Sequence, residues 1–312
     1  MRTPLMSPIR RVRPASIRVQ PLQPGDNLKG ATVMVLSMIA FTCNDTVIKF
    51  VTQDMPLYQA ITLRGVFVMM ALMLLAARSG GLRLRIATPA RWPMALRLVG
   101  EVGSTLLFLN ALQRMAIGDL TAVMQSLPLV VMLGAALIFG ETLGWRRMMA
   151  VGLGMAGVLI ILRPGSGTFG IWSLVALGAM VMVALRDLAT RQFAQDVSST
   201  TIAFYAAACV TLIGLVFSLG QGWVMPQPRH LLLLLLGSAF LTVGYVSAVA
   251  AMRIGEISAV APFRYTSLLA AVLLGYVVFG EVPDLWTWLG SGLVVGAGIY
   301  TIWREAQLER RH

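Results

Sequence analysis

Residues 118–141 read GDLTAVMQSLPLVVMLGAALIFGE, and residues 255–281 read GEISAVAPFRYTSLLAAVLLGYVVFGE. A glycine and an acid open both stretches. Ala-Val follows at the same spacing, and Gly-Glu closes both, the second copy being three residues longer inside. The likeness extends on either side. Ala150, Gly152 and Ala156 align with Gly290, Gly292 and Gly296 at an offset of 140, and Asp45 and Lys49 align with Asp187 and Arg191 at an offset of 142. The chain is therefore an internal duplication.

Each stretch is apolar and near the ~20 residues a helix needs to cross ~30 Å of hydrocarbon. Ten such segments occur, at about 29–50, 58–77, 94–113, 119–139, 146–163, 169–190, 201–219, 231–251, 257–279 and 285–303. Composition agrees. Of 312 residues 57% are hydrophobic and 12% charged, whereas a soluble domain carries about 25% charge. That excludes a water-soluble globular chain and a disordered one. The expected fold is an all-α membrane protein of ten transmembrane helices. Five spans per half is an odd number, so the second half enters the bilayer reversed. Inverted repeats with a site between them are the architecture of alternating-access transporters. The expected units are a tail at 1–27, repeats at 28–164 and 169–304, and a second tail at 305–312.

Charge sets the orientation. With the N-terminus inside, 17 Lys and Arg residues fall on the cytoplasmic side and three, Arg114, Arg163 and Arg229, on the outer side. That bias predicts both termini on the cytoplasmic side, and the expected location is a bacterial inner membrane. The seven tryptophans fall near span ends or in a loop, as an interfacial belt requires. Residues 1–27 hold five arginines, five prolines and one acid, Asp26. No apolar run precedes residue 31, so a cytoplasmic tail is expected rather than a cleaved signal or a transit peptide.

Several chemistries are excluded. The two lysines, Lys29 and Lys49, lack the Gly-x4-Gly context of a phosphate-cradling loop. His230 and His312 lie outside the spans, and Cys43 and Cys209 each sit alone in an apolar run. No metal, redox cofactor or disulfide framework is expected, and no nucleic-acid partner.

The bracketed helix late in each half, the Gly-rich helix after it and the five-plus-five repeat resemble the drug/metabolite transporter superfamily, in its EamA-type branch, over about residues 28–304. The resemblance implies a transporter of small metabolites. The Asn44-Asp45…Lys49 stretch is also similar to that of S-adenosylmethionine transporters of this superfamily.

Ionisable groups within spans cost roughly 2.5–3.5 kcal/mol each to insert, so they face a cavity or a partner. Asp45 and Lys49, spaced i, i+4, suit a pair on one face, or Lys49 snorkels to the interface. Asp45 lies about 24 Å along its span from Lys29, and Arg64 about 9 Å down the next span from the outer side, so the two share a level. Arg186 and Asp187 sit near a span end, where snorkelling competes with a cavity role. Arg97 and Glu101 form a second i, i+4 pair, with Glu101 either a simple ion-pair partner or a proton-coupling carboxylate.

Pro128 and Pro262 break sister helices, as mere kinks or to bend them around a substrate space. On the second reading they present Gln125, Ser126, Arg264, Tyr265 and Thr266. The candidate substrate residues are then Arg264, Arg64, Asp45, Asn44, Gln125, Ser126, Tyr265 and Thr266. Tyr205 and Tyr245 line the cavity or belong to the core. The stripes Ala150-x3-Gly154 and Gly292-x3-Gly296 suit either a homodimer face or packing within the monomer.

Five cations against three acids within the spans leave an excess of two positive charges. The leading expectation is therefore a secondary transporter, not an enzyme, exporting an amino acid or related anionic or zwitterionic compound. The alternative is uptake of a vitamin or an S-adenosylmethionine-like metabolite. A channel needs a polar water path that these spans lack, and a membrane enzyme needs a catalytic constellation that is missing.

Overall fold

The computed structural model describes residues 26–78, 90–139, 144–164, 170–190, 199–254 and 260–309. The first half comprises α1 (Asp26–Val51), α2 (Leu57–Arg78), α3 (Arg91–Leu112), α4 (Ile117–Met124), α5 (Leu127–Phe139) and α6 (Trp145–Leu162). The second comprises α7 (Ile171–Thr190), α8 (Ser199–Ser218), α9 (Pro228–Ile254), a 3-10 turn (Ala261–Tyr265) leading into α10 (Thr266–Leu274), a π turn (Gly275–Phe279), and α11 (Leu285–Glu309). Among the described residues nine spans are long and apolar enough to cross a membrane, and Met148–Leu162 is a shorter apolar helix. The expected ten-span, all-α membrane fold is the one observed.

The fourth and ninth spans are each broken where proline stands. Pro128 has no N–H to donate, and α4 and α5 part at Gln125–Ser126, where Ser126 N donates to Val123 O at 3.1 Å and the Ser126 hydroxyl donates to the same carbonyl at 2.7 Å. Pro262 lies in the 3-10 turn that opens the sister span.

The helices pair as the duplication requires. α1 packs on α9, and the equivalent pair, α7 on α3, packs likewise. α2 meets its own equivalent α8, and α6 meets its own equivalent α11. The two halves are thus related by a pseudo-two-fold arrangement. Glycine makes the close approaches. A Cβ on Gly244 of α9 would come within 2.8 Å of the Phe41 ring, and one on Gly100 of α3 within 2.8 Å of the Arg186 backbone nitrogen.

The small-residue stripes divide. α6 and α11 cross at Gly157 and Gly290, where an added Cβ on either would come within 2.7 Å or 2.5 Å of the other's carbonyl oxygen. Gly154 packs against Leu129. Gly292 and Gly296 are exposed, with open space where a Cβ would be.

Candidate substrate-binding site

Three helices bring the first cluster together. α1 carries Asn44 and Asp45 on adjacent positions, and α2 carries Arg64, which is buried. The Arg64 guanidinium donates to Asn44 Oδ1 at 3.3 Å, and Asn44 Nδ2 donates to Asp45 Oδ1 at 2.9 Å. Arg64 and Asp45 do share a level, and a neutral amide joins them. Ser238 of α9 donates to the Arg64 carbonyl at 3.3 Å and fixes α2 from the far side.

A second cluster spans α3 and α7. Arg97 and Glu101 form the expected i, i+4 pair at 3.3 Å. Arg186, which a span-end position allowed to snorkel, instead reaches back to Glu101 at 3.7 Å and donates from Nε to Asp187 at 2.9 Å. Arg97 also donates to the Thr190 hydroxyl at 2.7 Å. Glu101 is therefore held between two guanidiniums. Pairing of this kind offsets the cost of taking charge out of water.

Tyr245 of α9 lies between the clusters. Its ring meets Phe41 edge-on, with centroids 5.2 Å apart. Its hydroxyl lies in the field of Glu101, Arg186, Arg97 and Arg64. The residue is 49% exposed, so it does not fill core.

The broken sister spans meet beside α1. Gln125 Nε2 donates to the Ser267 hydroxyl at 2.8 Å and to the Arg264 carbonyl at 3.2 Å. Thr42 of α1 reaches the Ser267 carbonyl at 3.5 Å. The Arg264 side chain is exposed, and among the described residues its guanidinium makes no ion pair.

Of the remaining candidates, Ser126 and Thr266 satisfy themselves locally and Tyr265 does not. Ser126 is fully buried and lies 2.8 Å from the Met180 sulfur. Thr266 donates to the Phe263 carbonyl at 2.6 Å. Tyr265 is buried against α11, its hydroxyl over Gly298, where a Cβ would overlap it, and among the described residues that hydroxyl has no hydrogen-bond partner.

One expected pair is replaced. Lys49 does not meet Asp45. Its ammonium donates to Glu281 Oε1 at 2.5 Å and to the Met115 carbonyl at 2.6 Å. A tertiary partner at the end of the ninth span outcompetes the neighbour one turn away. The pairing also changes the charge account, since Glu281 cancels Lys49. Glu281 and Ser267 are the residues that sequence reasoning missed. The first was read only as a helix-end bracket, and the second stood next to a named candidate, three residues after Arg264.

The EamA-like transporter family matches the chain twice, over residues 28–163 and 170–303. A riboflavin transporter of Rhizobium johnstonii is 26% identical over 292 residues, which are 93% of this chain and 96% of that protein. An S-adenosylmethionine uptake transporter of Rickettsia prowazekii is 24% identical over 285 residues, 89% of this chain and 94% of that protein. A solved crystal structure shares the fold with a TM-score of 0.63 at 18% identity, over 88% of this chain and 97% of the other. With both halves matched in turn, the chain belongs to the EamA-like transporter family.

Proposed function

We propose that this protein takes up a vitamin or an S-adenosylmethionine-like metabolite by alternating access, and that its substrate sits among Asn44, Asp45, Arg64, Gln125, Tyr245 and Arg264. The observation that carries the reading is the match along nearly the whole chain to riboflavin and S-adenosylmethionine transporters. The geometry supports it. With Lys49 neutralised by Glu281 and Glu101 held by two arginines, the interior presents paired charges and amide groups rather than a strong positive field. Such a surface suits a ligand that is neutral or carries both signs and that offers hydrogen-bonding edges. Tyr245 adds a ring on which a planar heterocycle can stack.

Arg264 is the proposed anchor for an anionic group, and Glu101 the proposed coupling carboxylate. The charge bias supports a cytoplasmic location for both termini. Export of an amino acid is the competing reading and draws on the same site.

The test is uptake into ATP-free proteoliposomes of labelled riboflavin, S-adenosylmethionine and a representative set of amino acids, each with counterflow. Saturable counterflow of either of the first two is expected. Counterflow of amino acids alone would establish the competing reading. A strict requirement for ATP would refute a secondary transporter.

A further inference from the structure

The seven residues 281–287, EVPDLWT, follow the ninth span, and three of them reach across to the first half at one end of the bundle. Glu281 takes Lys49 of α1 on Oε1 and accepts the Ile117 backbone N–H on Oε2 at 2.8 Å. Asp284 pairs with Arg163, at the end of α6. Thr287 donates to Asp119 Oδ1 of α4 at 2.8 Å. The contacting residues recur every third position, and between them they meet α1, α4 and the end of α6 in the other half.

The local backbone is built for this. Gly280 has φ +69°, the left-handed region that favours glycine, and it turns the chain so that Glu281 faces back over α4. Ile117 N–H is one of the donors that the first turn of α4 leaves without a helical partner, and the carboxylate also meets the positive end of that helix. Asp284 Oδ1 in turn accepts the Thr287 N–H at 2.9 Å, which opens α11. Lys49 is almost fully buried, with the Phe279 ring 5.1 Å below its ammonium. A lysine so placed must keep its acid.

We infer that residues 281–287 are a strap that closes the bundle at the end where α1 finishes, and that Lys49, Arg163, Asp119, Glu281, Asp284 and Thr287 are its fastening groups. The strap then denies the central clusters access from that end. Transport requires the strap to release, because all three fastenings join one half to the other and alternating access moves the halves relative to each other. This role as a gate rests on the transporter reading, whereas the closure itself does not.

A buried thiol beneath the strap tests it. Gly118 is buried, and an added Cβ would make ordinary contacts, 3.4 Å from Val272 and 3.9 Å from Pro283. In a Cys43→Ser, Cys209→Ser background, Gly118→Cys supplies the reporter for a membrane-impermeant maleimide, added to purified protein in detergent. The parent should label slowly. Glu281→Gln and, separately, Lys49→Met should label roughly 10-fold faster or more, the factor that losing one charge-assisted hydrogen bond makes in an opening equilibrium. The exchanged pair Lys49→Glu with Glu281→Lys should label more slowly than either single variant.

Equal labelling in the parent and both single variants would overturn the strap. Labelling needs no substrate, so it stands even if neither riboflavin nor S-adenosylmethionine is carried. If labelling accelerates but the substrate turnover of a transporting parent is unaffected in both variants, the strap closes the end without gating transport, and the inference fails.

Discussion

Arg64 reaches Asp45 through Asn44, which accepts from the guanidinium and donates to the carboxylate. A direct ion pair would cancel both charges. The amide relay keeps them apart and oriented, so each retains hydrogen-bonding capacity toward a ligand. Asn44→Ala removes a partner from each of two charged groups and should weaken substrate binding about 10- to 100-fold, with the loss of one hydrogen bond to charge worth about 1.5–3 kcal/mol. Because the three residues share one network, Asn44→Ala and Arg64→Met should not add. A double-mutant cycle on binding should give a coupling of roughly 0.5–3 kcal/mol. Additive losses would show that the relay carries nothing.

Arg264, whose exposed guanidinium makes no ion pair among the described residues, is the proposed substrate anchor. A guanidinium grips a carboxylate or similar planar group by two parallel hydrogen bonds, which an ammonium cannot reproduce. Arg264→Lys should insert and fold as the parent does and bind substrate about 10- to 100-fold more weakly, by equilibrium binding to purified protein. Unchanged affinity would remove Arg264 from the site.

At the crossing of α6 and α11 the reasoning concerns space. Gly157→Ala or Gly290→Ala would press a methyl group against a carbonyl oxygen of the facing backbone, which cannot rotate away. Each should lower the midpoint of thermal unfolding in detergent by the equivalent of about 1–3 kcal/mol. Gly292→Ala meets open space and should leave that midpoint where it is. If instead Gly292→Ala or Gly296→Ala changes the mass of the detergent-solubilised particle, their exposed stripe is a contact between copies of the chain.

Topology is open to a direct check. Reporters fused after residues 55 and 225 should read periplasmic, and one fused after residue 85 cytoplasmic. The same side for 55 and 85 would contradict the assigned insertion.

The fold was legible because the duplication repeats its own punctuation. Gly-acid openings, Gly-Glu closings and a proline within the fourth and ninth spans mark the same places twice, and local chemistry accounts for each. The candidate clusters were legible where a charge had no escape: Arg64 lies too deep to snorkel easily, and Glu101 stands one turn from Arg97 and pairs with it. It was not legible where a long side chain had a choice. Arg186 stands near a span end and still turns inward to Glu101, and Lys49 passes over Asp45 for a carboxylate 232 residues away. Spacing along one helix cannot reveal a partner supplied by another helix. Glu281 was visible as a motif, but its job depends on where Gly280 sends it.

The pairing of helices across the pseudo-two-fold divides the molecule into two mutational classes. α2 with α8, and α6 with α11, are each a helix and its own counterpart. If the two halves trade conformations during a cycle, such a pair maps onto itself, and a substitution there weighs on both end states alike. α1 with α9 and α7 with α3 map onto each other instead. A substitution in either of those pairs burdens one end state and spares the other. Damage along the axis should therefore show as lost abundance, whereas damage off it should show as a carrier of normal abundance resting on the wrong side of the membrane.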